Sequence, residues 1–317
     1  MDYKSLGHTG LKVSVVGVGC NNFGTRCDEG ASAGVVHAAL ECGINFFDTA
    51  DVYGDHLSEE YLGAAIKGMD RSQIIIATKF AAPMGDGALN RGASRHHVMN
   101  AVEASLKRLG TDYIDLYQQH GPDPATPVEE TLAALDDLVR AGKVRYLGNS
   151  NYAGWQIADA HWTSKQRGLN RFVTAQNQYN LLDRRVEREV LPACQRFGLG
   201  MLPYFPLASG LLTGKYQRGA EPPEGSRLAN RPAMGKSALT DHNFDVLDRL
   251  TGFAREQGHD LLELAMGWLA SMPYVSSVIS GATSPDQVRA NVKSAEWRLT
   301  SEQMSRVAEL SGRQGAR

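Results

Sequence analysis

The sequence predicts an α/β fold, a (β/α)8 TIM barrel, from three observations. Eight short apolar runs recur along the 317 residues. Most are separated by segments of helical period, the pattern of parallel βαβ units. No shift in composition or long internal repeat divides the chain, so one domain spanning 1–317 is expected. The rival doubly wound fold needs Gly-x-Gly-x-x-Gly after its first strand. Here that position reads Gly17-Val18-Gly19-Cys20-Asn21-Asn22, without the third glycine.

The elements follow in order. Residues 3–13, with Gly7, Thr9 and Gly10 between short runs, read as an N-terminal β-hairpin. Strands are expected at 13–19, 44–48, 74–79, 114–119, 144–149, 172–177, 199–205 and 275–280. Helices are expected at 32–42, 95–109, 127–141, 153–165, 185–197, 241–258, 261–270 and 301–311. Residues 127–141 begin with a proline and stop before Gly142, which is sound cap chemistry. Residues 210–241 hold three prolines and several glycines, and read as a long functional loop after the seventh strand. The polar end of the chain is expected to fray.

Hydrophobic residues make up 42% of the chain and the net charge is −2. Bulk charge therefore points to neither a nucleic-acid nor a membrane partner. The four cysteines lack Cys-x-x-Cys or any metal-ligand spacing, so no metal is expected and a reducing compartment is. There is no apolar signal region at the start and no run near the roughly 18 apolar residues of a membrane span. A soluble, cytoplasmic protein is expected, with no oligomeric state fixed by the sequence.

In such a barrel the functional groups sit at the C-terminal ends of the strands. The second run ends in Asp48 and delivers Tyr53 shortly after. The third delivers Lys79, and His120 follows the fourth. A tyrosine ordinarily titrates at about pH 10 and keeps its proton at neutral pH. A neighbouring lysine cation favours the phenolate and lowers that pKa. Asp48 can pair with Lys79 and fix it, and His120 can hold a substrate oxygen. Together these groups suit protonation of a carbonyl oxygen while hydride reaches the carbon, which implies a nicotinamide cofactor. Singly, each has a plainer role as turn former, packed aromatic, surface lysine or loop histidine. Asp51 is the rival partner for Lys79, since it is as close to Tyr53 in sequence as Asp48 is.

The segment Phe47-Asp48-Thr49-Ala50-Asp51-Val52-Tyr53-Gly54, followed by Ser58-Glu59, resembles the first signature of the aldo-keto reductases. Ile76-Ala77-Thr78-Lys79 and Asp115-Leu116-Tyr117-Gln118-Gln119-His120 are similar to that family's lysine and histidine motifs, in order and at family spacing. The resemblance runs from Leu6 to about Asn291. It implies a catalytic tetrad of Tyr53, Asp48, Lys79 and His120, with Tyr53 as general acid.

The fifth strand ends at Gly148-Asn149-Ser150-Asn151, where short polar side chains suit a helix N-cap or an amide ligand. The resemblance implies that Ser150, Asn151 and Gln176 bind the nicotinamide carboxamide. It also implies that Tyr204 stacks on the ring, where core packing is its other role. Leu207, Ser209 and Gly210 match a loop that wraps the pyrophosphate. Lys215 is the matching cation and Arg227 a further one from the same long loop.

After the eighth strand, Thr283 or Ser284 caps a helix whose N-terminus favours a phosphate. The best-known reductases place a lysine and an arginine where this chain has Gly281 and Gln287. The stretch is instead similar to the branch that includes potassium-channel β subunits and bacterial aldo-keto reductases. There a hydroxyl, a glutamine and an asparagine suffice, matched here by Thr283, Gln287 and Asn291. Asp286 would repel a phosphate if it faced inward. The expected cofactor is NADPH, with NADH as the alternative.

Asn21, Phe23, Phe80, Tyr152 and Trp155 follow strand ends and are candidates to line an apolar substrate pocket, packing being their other role. The expected function is reversible reduction of a small-molecule carbonyl to its alcohol. The alternative is an NADPH-binding, redox-sensing regulatory module with slow turnover, like a channel β subunit.

Overall fold

A computed structural model of the protein describes residues 1–312. The expected fraying end of the chain falls at 313–317, outside the described residues. An antiparallel hairpin, β1 (Tyr3–Ser5) against β2 (Lys12–Ser14), comes first. Then follow β3 (Val16–Gly19), α1 (Glu29–Glu41), β4 (Phe46–Asp48), α2 (Leu57–Ala65), β5 (Ile75–Phe80), α3 (Arg95–Leu109), β6 (Ile114–Gln119) and α4 (Val128–Arg140). The second half runs β7 (Val144–Ser150), α5 (Gly154–Arg167), β8 (Phe172–Gln178), α6 (Val190–Phe197) and β9 (Gly200–Tyr204). It continues with α7 (Pro232–Ala238), α8 (Asp241–Glu256), α9 (Leu261–Ser271), β10 (Val278–Gly281), α10 (Pro285–Ser294) and α11 (Ser301–Leu310).

Eight parallel strands form one sheet in the order β10-β3-β4-β5-β6-β7-β8-β9. The seam between β9 and β10 is closed by a bridge between Met201 and Val275. The Met201 amide donates to Tyr274 O at 2.8 Å and the Ser276 amide to Met201 O at 3.0 Å. The result is a nearly closed (β/α)8 barrel.

Its interior is filled by Phe46, Ile75, Leu116, Val173, Leu202 and Ile279, joined from below by Leu6 and Val13 of the hairpin. Burying each large side chain contributes about 1.5–3 kcal/mol. The hairpin turn approaches the barrel so closely that a Cβ on Gly7 (φ +56°) would lie 2.4 Å from Val173 O. Lys4 Nζ anchors the hairpin to the carbonyls of Ala270 and Met272, at 2.7 and 2.8 Å. One end of the barrel is therefore plugged, and the strand C-terminal end is the open one. No helix among the described residues is long and apolar enough to cross a membrane.

The boundaries differ from expectation where distant contacts intervene. The run 13–19 splits at Val15, whose amide donates to Asp2 O at 2.9 Å. Its first part belongs to the hairpin and only Val16–Gly19 joins the barrel. The last strand starts at Val278, not 275, because Ser276 Oγ serves the hairpin, donating to Ser5 O and accepting from the Gly7 amide. The expected helix at 185–197 is a 3-10 turn, Arg185–Glu187, followed by α6. Pro192, which has no N–H to donate, sits in the first turn of α6. The long loop 210–241 is not structureless. A 3-10 turn, Ala208–Thr213, opens it and α7 lies near its end. Helix α2 had no counterpart in the expected elements. It has nine residues and is entered through left-handed His56 with no side-chain cap, so it carries neither start signal nor length.

Candidate active site

Asp48 ends β4, Lys79 is the penultimate residue of β5, and His120 follows β6. Tyr53 lies in the turn between β4 and α2. Lys79 is fully buried, and its ammonium donates to Asp48 Oδ2 at 2.6 Å, Thr49 O at 2.8 Å and Tyr53 Oη at 3.3 Å. The partner of Lys79 is thus Asp48 and not Asp51. The other Asp48 oxygen accepts from Gln118 Nε2 at 3.0 Å and Gln176 Nε2 at 2.7 Å. The His120 ring meets the Tyr53 ring edge-on, with centroids 5.6 Å apart.

Burial alone would pull the Lys79 ammonium down, but Asp48 and Tyr53 outweigh it and hold its pKa above the ordinary value. For Tyr53 the balance is the reverse of the expected one. Burial pushes the phenol up more than Lys79 pulls it down, so its pKa is raised. The phenol is thus firmly protonated at neutral pH while an ammonium stands ready to stabilise its anion. Burial, and then the Lys79 charge, depress His120 to about 3, which leaves a neutral imidazole.

A cleft of about 760 Å³ opens above these groups, lined by Asp48, Tyr53 and His120. It is also lined by Asn21, Ser150, Asn151, Gln176, Tyr204, Leu207, Ser209, Gly210, Lys215, Arg227, Gly281, Gln287 and Asn291. Ser150 Oγ donates to Gln176 O at 2.9 Å. Asn151, at φ +61°, accepts from the Tyr204 hydroxyl at 2.8 Å and donates to His120 O at 2.9 Å. Ser209 (φ +60°) and Gly210 (φ +92°) turn the chain sharply after β9. A Cβ at Gly210 would meet Lys215 Nζ at 2.9 Å, so the missing side chain leaves room for that ammonium. Arg227 lies 4.5 Å over the Phe205 ring.

Several expected positions fall elsewhere. Thr283 is not on the cleft wall, since its amide and hydroxyl both donate to Gln287 Oε1. Of the two expected caps of α10, Ser284 is the one that forms it. Asp286 is exposed, pairs with Arg289 at 3.2 Å and does not face the cleft. Of the five residues expected to line a substrate pocket, only Asn21 lies on the wall of this cleft. Phe80 is fully buried and stacks on Tyr117 at 4.8 Å, on the helix side of the strand. Adjacent residues of a strand point to opposite faces, so Lys79 facing inward turns Phe80 outward. Phe23 is in the core. Tyr152 is buried and donates to Gln119 Oε1 at 2.7 Å. Trp155 is 66% exposed on α5, outside the cleft.

The cleft also gains cations that the sequence did not single out. Arg26, from the loop after β3, and Arg231 join Lys215 and Arg227 on its wall. Arg26 reaches over to donate to Gly225 O at 3.2 Å. Among the described residues none of the four has an ion-pair partner. Burial, then Arg231 and Arg26, pull the Arg227 pKa down. Unmatched cations around one cleft suit a ligand with several negative charges. In the sequence Arg26 and Arg231 look like ordinary surface charges, and only the wall they share with Lys215 and Arg227 marks them.

The family model described as "Aldo/keto reductase family" matches residues 15–311. A protein named as a probable voltage-gated potassium channel subunit beta from Arabidopsis thaliana is 40% identical over 305 residues, covering 93% of this chain and 92% of its own. An uncharacterized oxidoreductase of Bacillus subtilis, YrpG, is 37% identical, with coverage of 95% and 93%. Aldo-keto reductase YhdN of the same organism is 36% identical, with coverage of 95% and 91%. The match takes in every barrel strand and every helix described above, and the chain belongs to the aldo/keto reductase family.

Proposed function

We propose that this protein reduces aldehydes and ketones to alcohols, reversibly, with NADPH as the hydride donor and Tyr53 as the general acid. One observation carries the proposal: Lys79 Nζ lies between Asp48 Oδ2 and Tyr53 Oη in a buried site that opens on the cleft. The oxidoreductase relatives support the reaction class.

NADPH supplies the hydride when bound. Tyr53 holds its proton until charge develops on the carbonyl oxygen, then donates it. Lys79 stabilises the phenolate that remains. Asp48 keeps Lys79 charged and aimed, and the Gln118 and Gln176 amides keep Asp48 from turning. His120, uncharged, hydrogen-bonds the same carbonyl oxygen without competing as an acid. Ser150, Asn151 and Gln176 would hold the carboxamide, Tyr204 the nicotinamide ring, and Leu207, Ser209, Gly210 and Lys215 the pyrophosphate, since all of them line the cleft. Arg26, Arg227 and Arg231 supply positive charge that favours a cofactor with a third phosphate.

The test is oxidation of NADPH and NADH, measured side by side against a panel of carbonyls. NADPH should be preferred. Tyr53→Phe should remove turnover while cofactor binding, read by nucleotide fluorescence, stays near wild type. Wild-type rates in that variant would end the general-acid assignment. The likeness to a protein named as a channel β subunit favours a second reading, a cofactor-sensing module with slow turnover. Slow cofactor release in stopped flow, with a slow steady-state rate on a reactive aldehyde, would select it.

A further inference from the structure

Behind the tetrad lies a second group of ionisable side chains that the proposed chemistry does not use. Asp51 sits in the turn between Asp48 and Tyr53 and is 1% exposed. Its amide donates to Lys79 O at 3.2 Å, which clips the turn to the strand that carries the lysine. Among the described residues, neither carboxylate oxygen of Asp51 has a hydrogen-bond partner of proper geometry. Four charged or titratable neighbours face it. From α2 comes Glu59, fully buried, which accepts from Thr78 Oγ1 on β5 and from Arg108 Nε on α3, the latter at 2.6 Å. From α3 comes Arg108 and from β5 comes Lys79. From β6 comes Tyr117, whose buried hydroxyl also has no partner among the described residues.

The charges pair off with one left over. Lys79 is matched by Asp48 and Arg108 by Glu59. An ionised Asp51 would be an unmatched anion in the interior beside another carboxylate. Such a group takes up a proton rather than bear that cost. Burial first, and Glu59 second, lift its pKa to about 7, against the weaker pull of the Val52 amide, Arg108 and Lys79.

We propose that Asp51 is a proton-sensing positioning residue. As a neutral acid it leaves the 48–53 turn where Tyr53 meets Lys79, and as an anion it disturbs that turn and slows carbonyl reduction. The anion is repelled by Glu59 and drawn to Lys79, where it competes with Tyr53 for the ammonium. His120 titrates at about 3, and both Tyr53 and Lys79 are held above their ordinary values, so none of these three puts an inflection near neutrality.

This inference rests on the reading of Tyr53 as proton donor, and its test separates the two. The kcat and KM for NADPH-driven reduction are measured on both sides of neutrality for the full-length wild type and for Asp51→Asn. Wild-type kcat should fall several-fold above neutrality, while the neutral Asn variant holds its acid-side kcat throughout, with KM for NADPH unchanged. In parallel, infrared difference spectra follow the carbonyl stretch of the protonated carboxyl, with carbon-labelled aspartate identifying its type. That band should disappear as the wild type is titrated through neutrality, and it should be missing from Asp51→Asn. An inflection that persists in Asp51→Asn, or the absence of a titrating aspartic acid band in the wild type, overturns the proposal. If no carbonyl is reduced with either cofactor, the proposed function fails instead, and the infrared titration still decides where the proton sits. The labelled wild-type titration does not depend on the variant folding.

Discussion

Gln176 donates to Asp48 Oδ1 across the barrel at 2.7 Å, from a position 128 residues further along the chain. With Gln118 on the same oxygen and Lys79 on the other, the Asp48 carboxylate is held from three strands. It neutralises a lysine that has no contact with water. Asp48→Asn leaves that ammonium buried without its anion. The expected cost is about 3–5 kcal/mol of stability, together with a large fall in kcat. Urea unfolding and steady-state kinetics on the same preparation check both. A variant as stable as the wild type would mean that Lys79 sheds its proton at little cost.

The four cations on the cleft wall make a prediction about affinity. Arg26→Ala removes the one cation contributed by the loop after β3 and its bond to Gly225 O. A charge-assisted hydrogen bond is worth about 1.5–3 kcal/mol, so NADPH should bind roughly tenfold more weakly or worse, and NADH should be affected less. The salt dependence of NADPH binding should also flatten. Fluorescence titrations at several ionic strengths measure both. Equal losses for the two nucleotides would place Arg26 away from the extra phosphate.

Gly54 tests how tightly the Tyr53 turn is packed. Its φ is +60°, and a Cβ there would lie 2.4 Å from Phe23 O and 2.9 Å from Gly24 Cα. Gly54→Ala must strain the backbone and push the two loops apart, at a cost above about 1 kcal/mol. The next residue displaced is Tyr53. A lowered melting temperature is expected, with kcat reduced more than KM for the cofactor. An unchanged kcat would show that the turn gives way without moving the phenol.

Asp51 also makes a prediction about stability. Below about pH 4 the folded and unfolded states both hold its proton and it contributes nothing. As the pH rises past the unfolded value of 3.8 the unfolded chain ionises, while the folded one waits until about 7. Over that window stability falls by roughly 1.36 kcal/mol for each pH unit, up to about 4 kcal/mol, and above it the loss is complete. Asp51→Asn lacks this contribution. Its stability relative to the wild type should therefore climb between about pH 4 and about pH 7 and level off above, as urea unfolding at fixed pH would reveal. A difference independent of pH would mean that Asp51 is ionised in the folded state.

Much of the frame was legible where local signals agree. Helix α3 matches its expected span residue for residue, because Ser94 caps its start and Gly110, at φ +62°, ends it. Strand β6 does the same between polar turns. The misses have a common origin in long-range contacts or in the choice of face. Val13 looked like the start of a barrel strand, yet it pairs with Lys4 at the floor. Phe80 and Tyr152 looked like pocket walls because they follow strand ends. The alternation of side chains along β5 already turns Phe80 away from Lys79, a signal that the sequence itself carries. Trp155 carried no such signal, and an aromatic beginning a helix can face the solvent or the cleft equally well.

The sequence by itself determined the barrel and the groups on its rim. Strand periodicity and the residue that ends each strand are local properties, and the barrel topology brings those ends together. The tertiary structure decided how the charges pair. Asp48 and Asp51 differ by three positions in one turn, and nothing local tells which will meet Lys79. The fold gives the ammonium to Asp48 and leaves Asp51 beside Glu59 without a counter-ion. It likewise gathers Arg26 and Arg231 onto the wall that holds Lys215 and Arg227. Burial and charge matching depend on which distant segments close around a group, and that sum is made only when the barrel forms.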